Sequence, residues 1–139
     1  MDTTNNSAKQ PKEVIIHLYN HILNKRRFED LEALIADQYT GTKGIKGVAG
    51  FQQSIKELIS AFPDIQWSIV EIVAEGNKVM LKQVVTGTHS GVFLGIAATA
   101  KNIRIQAYAT YEFEAGKIIR SEVLTDRISL FQQLGVSTL

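Results

Sequence analysis

Apolar residues in the first half of the chain recur with the spacing of α-helices. A first helix is predicted over about 11–24, where Pro11 is tolerated in the first turn. Asp30 is placed to cap a short second helix. A third helix is predicted from the apolar stripe between Val48 and Phe62, and Pro63 ends it.

After Pro63 the apolar period changes from that of a helix to that of a strand. Strands are predicted from Ile65 onward and over 79–88, 103–113 and 118–128, with tight turns at 75–78 and 115–116. This order predicts an α+β fold with three N-terminal helices and a four-stranded antiparallel sheet. A strongly curved sheet under helices encloses a pocket. We expect a disordered lead over 1–10 and a single domain over 11–139.

The amino-acid composition excludes several kinds of site and partner. The chain has 139 residues, of which 45% are hydrophobic and 21% charged, and it contains no cysteine. Disulfides, thiolate catalysis and cysteine zinc sites are therefore excluded. A net charge of +1 gives no electrostatic case for nucleic acid. We expect no membrane span and, without a signal-peptide layout at the start, a cytoplasmic location.

Two weak patterns suggest ion binding. His17 and His21 stand four residues apart with Glu13 one turn earlier, a spacing that could hold a metal but lacks a further ligand motif. Lys43 and Lys46 lie in a glycine-rich segment without the phosphate-loop pattern. We therefore expect neither a metal nor a cofactor.

Several short motifs occur in an order that resembles one family. They are Ala61-Phe62-Pro63-Asp64, Glu75-Gly76-Asn77-Lys78-Val79, Thr86-Gly87-Thr88-His89-Ser90-Gly91 with Leu94-Gly95-Ile96, and Gly116-Lys117-Ile118 followed by Asp126 and Gln133-Leu134-Gly135. From about Lys12 to Gly135 the chain resembles the SnoaL-like polyketide cyclases of the nuclear transport factor 2-like superfamily. The resemblance implies a cone-shaped α+β fold, a homodimer, and ring closure by aldol chemistry on a polyketide ester without a cofactor.

The resemblance assigns the acid/base role to Asp126. Removing a proton beside a carbonyl needs a base in a dry site, where desolvation raises the pKa of a carboxylate. The alternative is that Asp126 caps a helix or pairs with Arg127. Glu122, on the same strand face, could contact the opposite end of a ligand or form a surface ion pair.

Other candidate substrate-binding residues are Tyr19, Trp67, His89, Tyr108 and Glu112. Tyr19 offers a ring and a hydroxyl, whereas Trp67 also suits a core or dimer contact and His89 a structural loop role. The register of strand 103–113 decides which of its side chains face the two carboxylates. A plain turn places apolar residues beside the carboxylates, and a one-residue bulge brings Tyr108, Thr110 and Glu112 there instead.

Three functions remain open from the sequence. The first is a cyclase that acts on a small apolar carbonyl compound. The second is a non-catalytic module that binds a hydrophobic molecule, which is favoured because the glutamine and histidine of the aromatic cyclases are replaced near Thr110 and Glu112. The third is a ketosteroid-isomerase-like proton shuttle, with Tyr108 or Tyr111 as a neutral hydrogen-bond donor.

Overall fold

The computed structural model describes residues 10–136, so positions 1–9 of the lead predicted over 1–10, and the end of the predicted domain at 137–139, lie outside this range. Helix α1 (Pro11–His17) runs directly into a π-helical turn (Leu18–Leu23), and a 3-10 helix (Phe28–Ala33) follows. A short 3-10 helix covers Thr42–Gly44, and the other helices within residues 10–136 are α2 (Gly47–Ala61) and α3 (Arg127–Leu134). The strands are β1 (Ile35–Thr40), β2 (Gln66–Glu75), β3 (Lys78–Thr88), β4 (Asn102–Glu114) and β5 (Lys117–Thr125).

The sheet has the order β1-β5-β4-β3-β2. Strands β2 to β5 form an antiparallel meander, as predicted, whereas β1 pairs parallel to β5 at the edge. The α+β class is therefore confirmed, and the sheet is mixed rather than purely antiparallel.

The second predicted helix differs from the structure. Only a 3-10 helix forms there, Asp30 makes no cap, and Ile35 begins β1. The amide of Ile118 donates to the carbonyl oxygen of Leu34 at 2.9 Å, and Ile35 is fully buried. Leu31, Leu34 and Ile35 fit the helical period, but Ile35 pairs with the free edge of β5, and this pairing decides the conformation.

The inner face of the sheet packs against α2 and against the first helical segment, which consists of α1 and the π-helical turn that follows it. Alternate residues of β4 from Ile103 to Phe113 are buried, and the residues between them are mostly exposed. Burial of Ile15, Leu18 and Ile22 on the first segment, and of Phe51 on α2, completes this core. Within residues 10–136 no helix combines the length and the apolar character needed to cross a bilayer.

Candidate functional site

A cavity of about 370 Å³ lies between the inner face of the sheet and the helices. Its walls come mainly from β3, β4, β5 and α2, and most of the lining side chains are apolar. Lys43, Glu57, Leu94 and Arg127 line it and are exposed, so they mark its opening. This volume falls in the range of small-molecule pockets.

Two buried tyrosines belong to the polar part of the cavity wall. Tyr19 is on the π-helical turn, where the amide of Asn24 donates to the Tyr19 carbonyl at 3.1 Å. Its hydroxyl lies 2.8 Å from that of Tyr111 on β4, and the two rings meet edge to face. Both residues line the cavity, and they are 2% and 5% exposed.

Burial keeps both phenols protonated. Desolvation raises the pKa of Tyr19 to about 12, although hydrogen bonds from Tyr111 and Gln83 act in the opposite direction. Desolvation raises the pKa of Tyr111 well above its ordinary value, and its hydrogen bond to Tyr19 raises it further. Both phenols are therefore neutral hydrogen-bond donors at neutral pH.

A third phenol stands nearby. The Tyr39 hydroxyl on β1 lies 2.5 Å from the Ser121 hydroxyl on β5, and both residues line the cavity. Burial raises the pKa of Tyr39. Tyr39 also contributes to the raised pKa of Tyr111. We refer to Tyr19, Tyr39 and Tyr111 as the tyrosine cluster, a set of neutral hydrogen-bond donors.

Gln83 is a further polar residue of the wall that, like Tyr39 and Ser121, was not predicted from the sequence. It lines the cavity from β3 and is 2% exposed. The signal was present in the sequence, because Gln83 interrupts the inward-facing series Val79, Leu81 and Val85. A polar residue on the buried face of a strand needs a hydrogen-bond partner, and Gln83 Oε1 has none among residues 10–136.

The structure places Asp126 outside the cavity wall, at the start of α3. Its Oδ1 accepts from the backbone amide of Ser129 at 3.1 Å, so it is an N-cap, and it is exposed. The predicted strand ends at Thr125 for the same reason, since α3 begins immediately afterwards. Its neighbours Thr125 and Arg127 both line the cavity.

Three other candidates lie on the outer face of the sheet. The β4–β5 ladder has an irregularity at Glu112/Phe113, which pairs Thr110 with Glu122 and Tyr108 with Leu124. Tyr108, Glu112 and Glu122 therefore share the face opposite to the cavity, and Glu112 pairs with Arg120. The bulged register forms, but the face that it brings together is exposed, whereas the apolar series of β4 lines the cavity.

His89 holds the loop that follows β3 and does not line the cavity. It is fully buried, its Nδ1 accepts from the amide of Thr99 at 3.2 Å, and its own backbone pairs with Ala100 and Lys101. The loop it anchors carries Phe93 and Leu94, which do line the cavity. These contacts are those of a structural residue.

Trp67 on β2 lines the cavity, as does Tyr19, so these two candidates are brought together. The Asn24 side chain fixes the Trp67 backbone with two hydrogen bonds of 2.8 Å. His17 and His21 lie on the first helical segment with ring centres 5.1 Å apart. Within residues 10–136 no three histidine, aspartate or glutamate side chains cluster as metal ligands would.

Comparison with known proteins identifies a family that the chain matches. A family model described as SnoaL-like polyketide cyclase matches residues 13–134. No curated protein sequence matches the chain.

Solved structures give the same fold. IdmH from Streptomyces antibioticus, provisionally a polyketide cyclase, is 25% identical with a TM-score of 0.78, covering 91% of this chain and 99% of IdmH. A protein of Acidithiobacillus ferrooxidans with the same provisional description is 27% identical with a TM-score of 0.79, covering 90% of this chain and 94% of its own. A SnoaL-like protein of Jannaschia has a TM-score of 0.84 at 15% identity, covering 94% of each chain, and supports the fold alone.

Proposed function

The chain belongs to the SnoaL-like polyketide cyclase family, and from this premise we propose that its cavity binds a compact, mostly apolar carbonyl compound. One observation carries the proposal: Tyr19 and Tyr111 form a buried, hydrogen-bonded pair on an otherwise mostly apolar wall. Phenols with raised pKa values stay protonated at neutral pH and can donate to a ligand oxygen. The apolar walls would bind the body of the ligand and the tyrosines would orient its oxygen.

Binding can be measured without knowing the natural ligand. Trp67 is the only tryptophan of the chain and lines the cavity, so its fluorescence reports occupancy. The probes are decalone, a bicyclic ketone, and decalin, the same skeleton without oxygen. We expect decalone to bind more tightly, and Tyr19→Phe to weaken decalone binding about tenfold while leaving decalin binding unchanged.

Tyr108→Phe is the matched control, since this tyrosine is exposed on the outer face of the sheet. It should leave both affinities unchanged. Equal binding of decalone and decalin by the wild-type protein would contradict a role for the tyrosines in holding a ligand oxygen. Failure of both probes to change Trp67 fluorescence would contradict ligand binding in the cavity.

The second candidate function is proton transfer beside the carbonyl, as aldol-type cyclisation or isomerisation requires. Asp126 would be the acid/base, and what favours it is its position between two cavity-lining residues, Thr125 and Arg127. Tyr19 would donate to the carbonyl oxygen as negative charge develops on it. The exposure of Asp126 and its helix-capping hydrogen bond weigh against an acid/base role, so binding remains the preferred function.

Exchange of hydrogen for deuterium next to the carbonyl of decalone separates these two functions. A protein that forms the enolate accelerates this exchange in heavy water, and NMR follows the loss of the proton signals. If Asp126 is the base, Asp126→Asn should slow exchange at least about a hundredfold without changing affinity. A wild-type rate no faster than that of buffer would rule out proton transfer on this probe and leave the binding function.

A homodimer is also part of the proposal, and the outer face of the sheet supports it. Val73 and Met80 are paired there, and so are Tyr108 and Leu124; all four are between 52% and 75% exposed. Apolar side chains grouped on an exposed sheet face favour association with a second copy. We expect Leu124→Lys to lower the mass measured by light scattering from that of a dimer to that of a monomer, whereas an unchanged mass would place the interface elsewhere.

A further inference from the structure

Gln83 has an unused hydrogen-bond acceptor in the interior of the protein. Its Oε1 is closed to water and has no hydrogen-bond partner in the described part of the chain, although the side chain lines the cavity. Its backbone neighbour across the ladder is Ala107, which offers no side-chain donor. A buried carbonyl oxygen without a donor is unfavourable, so its retention on the wall of a pocket points to a ligand that supplies one.

Tyr19, the phenol beside Gln83, has a hydroxyl that can act as the complementary hydrogen-bond donor. Hydrogen bonds from Tyr111 and from the Gln83 side chain lower the pKa of Tyr19 against the larger effect of burial. The Gln83 side chain therefore lies beside Tyr19, and both residues line the cavity. A phenol oxygen that accepts a hydrogen bond keeps its own proton, which it can donate to a ligand. A phenol donor and an amide acceptor thus stand side by side on the cavity wall.

We propose that this pair recognises a hydroxyl group, so that the cavity prefers an alcohol, a phenol or an enol to the ketone of the same skeleton. A hydroxyl oxygen accepts from Tyr19 and donates to Gln83, whereas a ketone oxygen accepts only and leaves Oε1 unpaired. The inference rests on the proposed cavity-binding function. For a carbonyl compound, it means that the enol form satisfies the wall better than the keto form.

The test compares decalol, decalone and decalin as ligands, with Trp67 fluorescence as the readout. The three share one ring skeleton and differ only at the oxygen. In the wild-type protein, we expect decalol to bind about tenfold more tightly than decalone. In Gln83→Leu, that preference should disappear, while the affinity for decalin stays the same or increases.

Gln83→Met is a second variant, whose side chain is unbranched like that of glutamine. It shows whether an effect of Gln83→Leu comes from altered packing. Thermal unfolding of each variant establishes that it is folded before binding is compared. Equal affinity for decalol and decalone in the wild-type protein would overturn the inference, and so would a preference for decalone. Binding of none of the three would instead overturn the proposed cavity function itself.

Discussion

If Asp126 caps α3, its replacement should lower the stability of the protein, and Asp126→Ala tests this role. The mutation removes the acceptor that the Ser129 amide reaches at 3.1 Å. Loss of such an N-cap costs about 1 kcal/mol of unfolding free energy, within a range of roughly 0.5–2. The rest of α3 stays docked, since Leu130 and Leu134 are buried and Gln133 bonds both backbone groups of Arg104.

Asp126→Asn keeps an acceptor at the same place and loses only the charge at the start of the helix. Asparagine caps helices about as well as aspartate, so the remaining loss is the interaction with the helix dipole, about 0.5 kcal/mol. For a chain of 139 residues the unfolding entropy is about 0.3 kcal/mol/K, and 1 kcal/mol therefore lowers the melting temperature by about 3 °C.

Urea unfolding measures both variants. The midpoint should fall for Asp126→Ala and much less for Asp126→Asn, with unchanged slopes. Asp30→Ala is the control, because its side chain makes no hydrogen bond with any part of the chain that the structure describes. An Asp126→Ala protein as stable as wild type would refute the capping argument. If Asp126→Asn is also fully stable yet loses catalysed exchange, the acid/base role is supported independently of folding.

Three further predictions concern the cavity and its frame. The raised pKa of Tyr19, about 12 against an ordinary 10.0, means that its contribution to stability is complete below pH 10.0 and is lost as the pH rises toward about 12, so Tyr19→Phe should reduce the alkaline fall in unfolding free energy. Gly91→Ala should cost about 1–3 kcal/mol in urea unfolding, because its Cβ would collide with the backbone oxygen of Ser60; equal stability would show that the loop moves freely. Asn24→Ala should cost about 1–3 kcal/mol and alter Trp67 fluorescence, because both backbone groups of that tryptophan lose their partner; an unchanged spectrum would contradict this.

The sequence predicted the meander and the third helix because their periods and turns are local. Ala115 and Gly116 both have positive φ, as a two-residue hairpin requires, and this turn was found where it was expected. Strand β1 was missed because its partner, β5, lies about eighty residues later and no local pattern encodes that pairing.

The site was harder to predict than the fold. Tyr19 and Trp67 do line the cavity, but the position of Asp126 depended on where β5 ends, and α3 begins directly after it. Glu122 depended on a single irregularity in the β4–β5 ladder, which moves alternate side chains to the other face. The hydrogen bond between Tyr19 and Tyr111 joins residues 92 positions apart, which sequence spacing cannot reveal.

The parallel pairing of β1 with β5 also has a consequence for the order of folding. Strands β2 to β5 join through connections between neighbours in the chain, whereas β1 must wait for the last strand before it gains a partner. Because long loop closures are entropically unfavourable, we expect the meander to form early and β1 to dock late. During synthesis β1 leaves the ribosome before its partner and keeps Ile35 and Tyr39 uncovered until the C-terminal strand arrives. This edge strand, which carries Tyr39 into the cavity wall of the finished protein, is thus exposed to aggregation in the nascent chain.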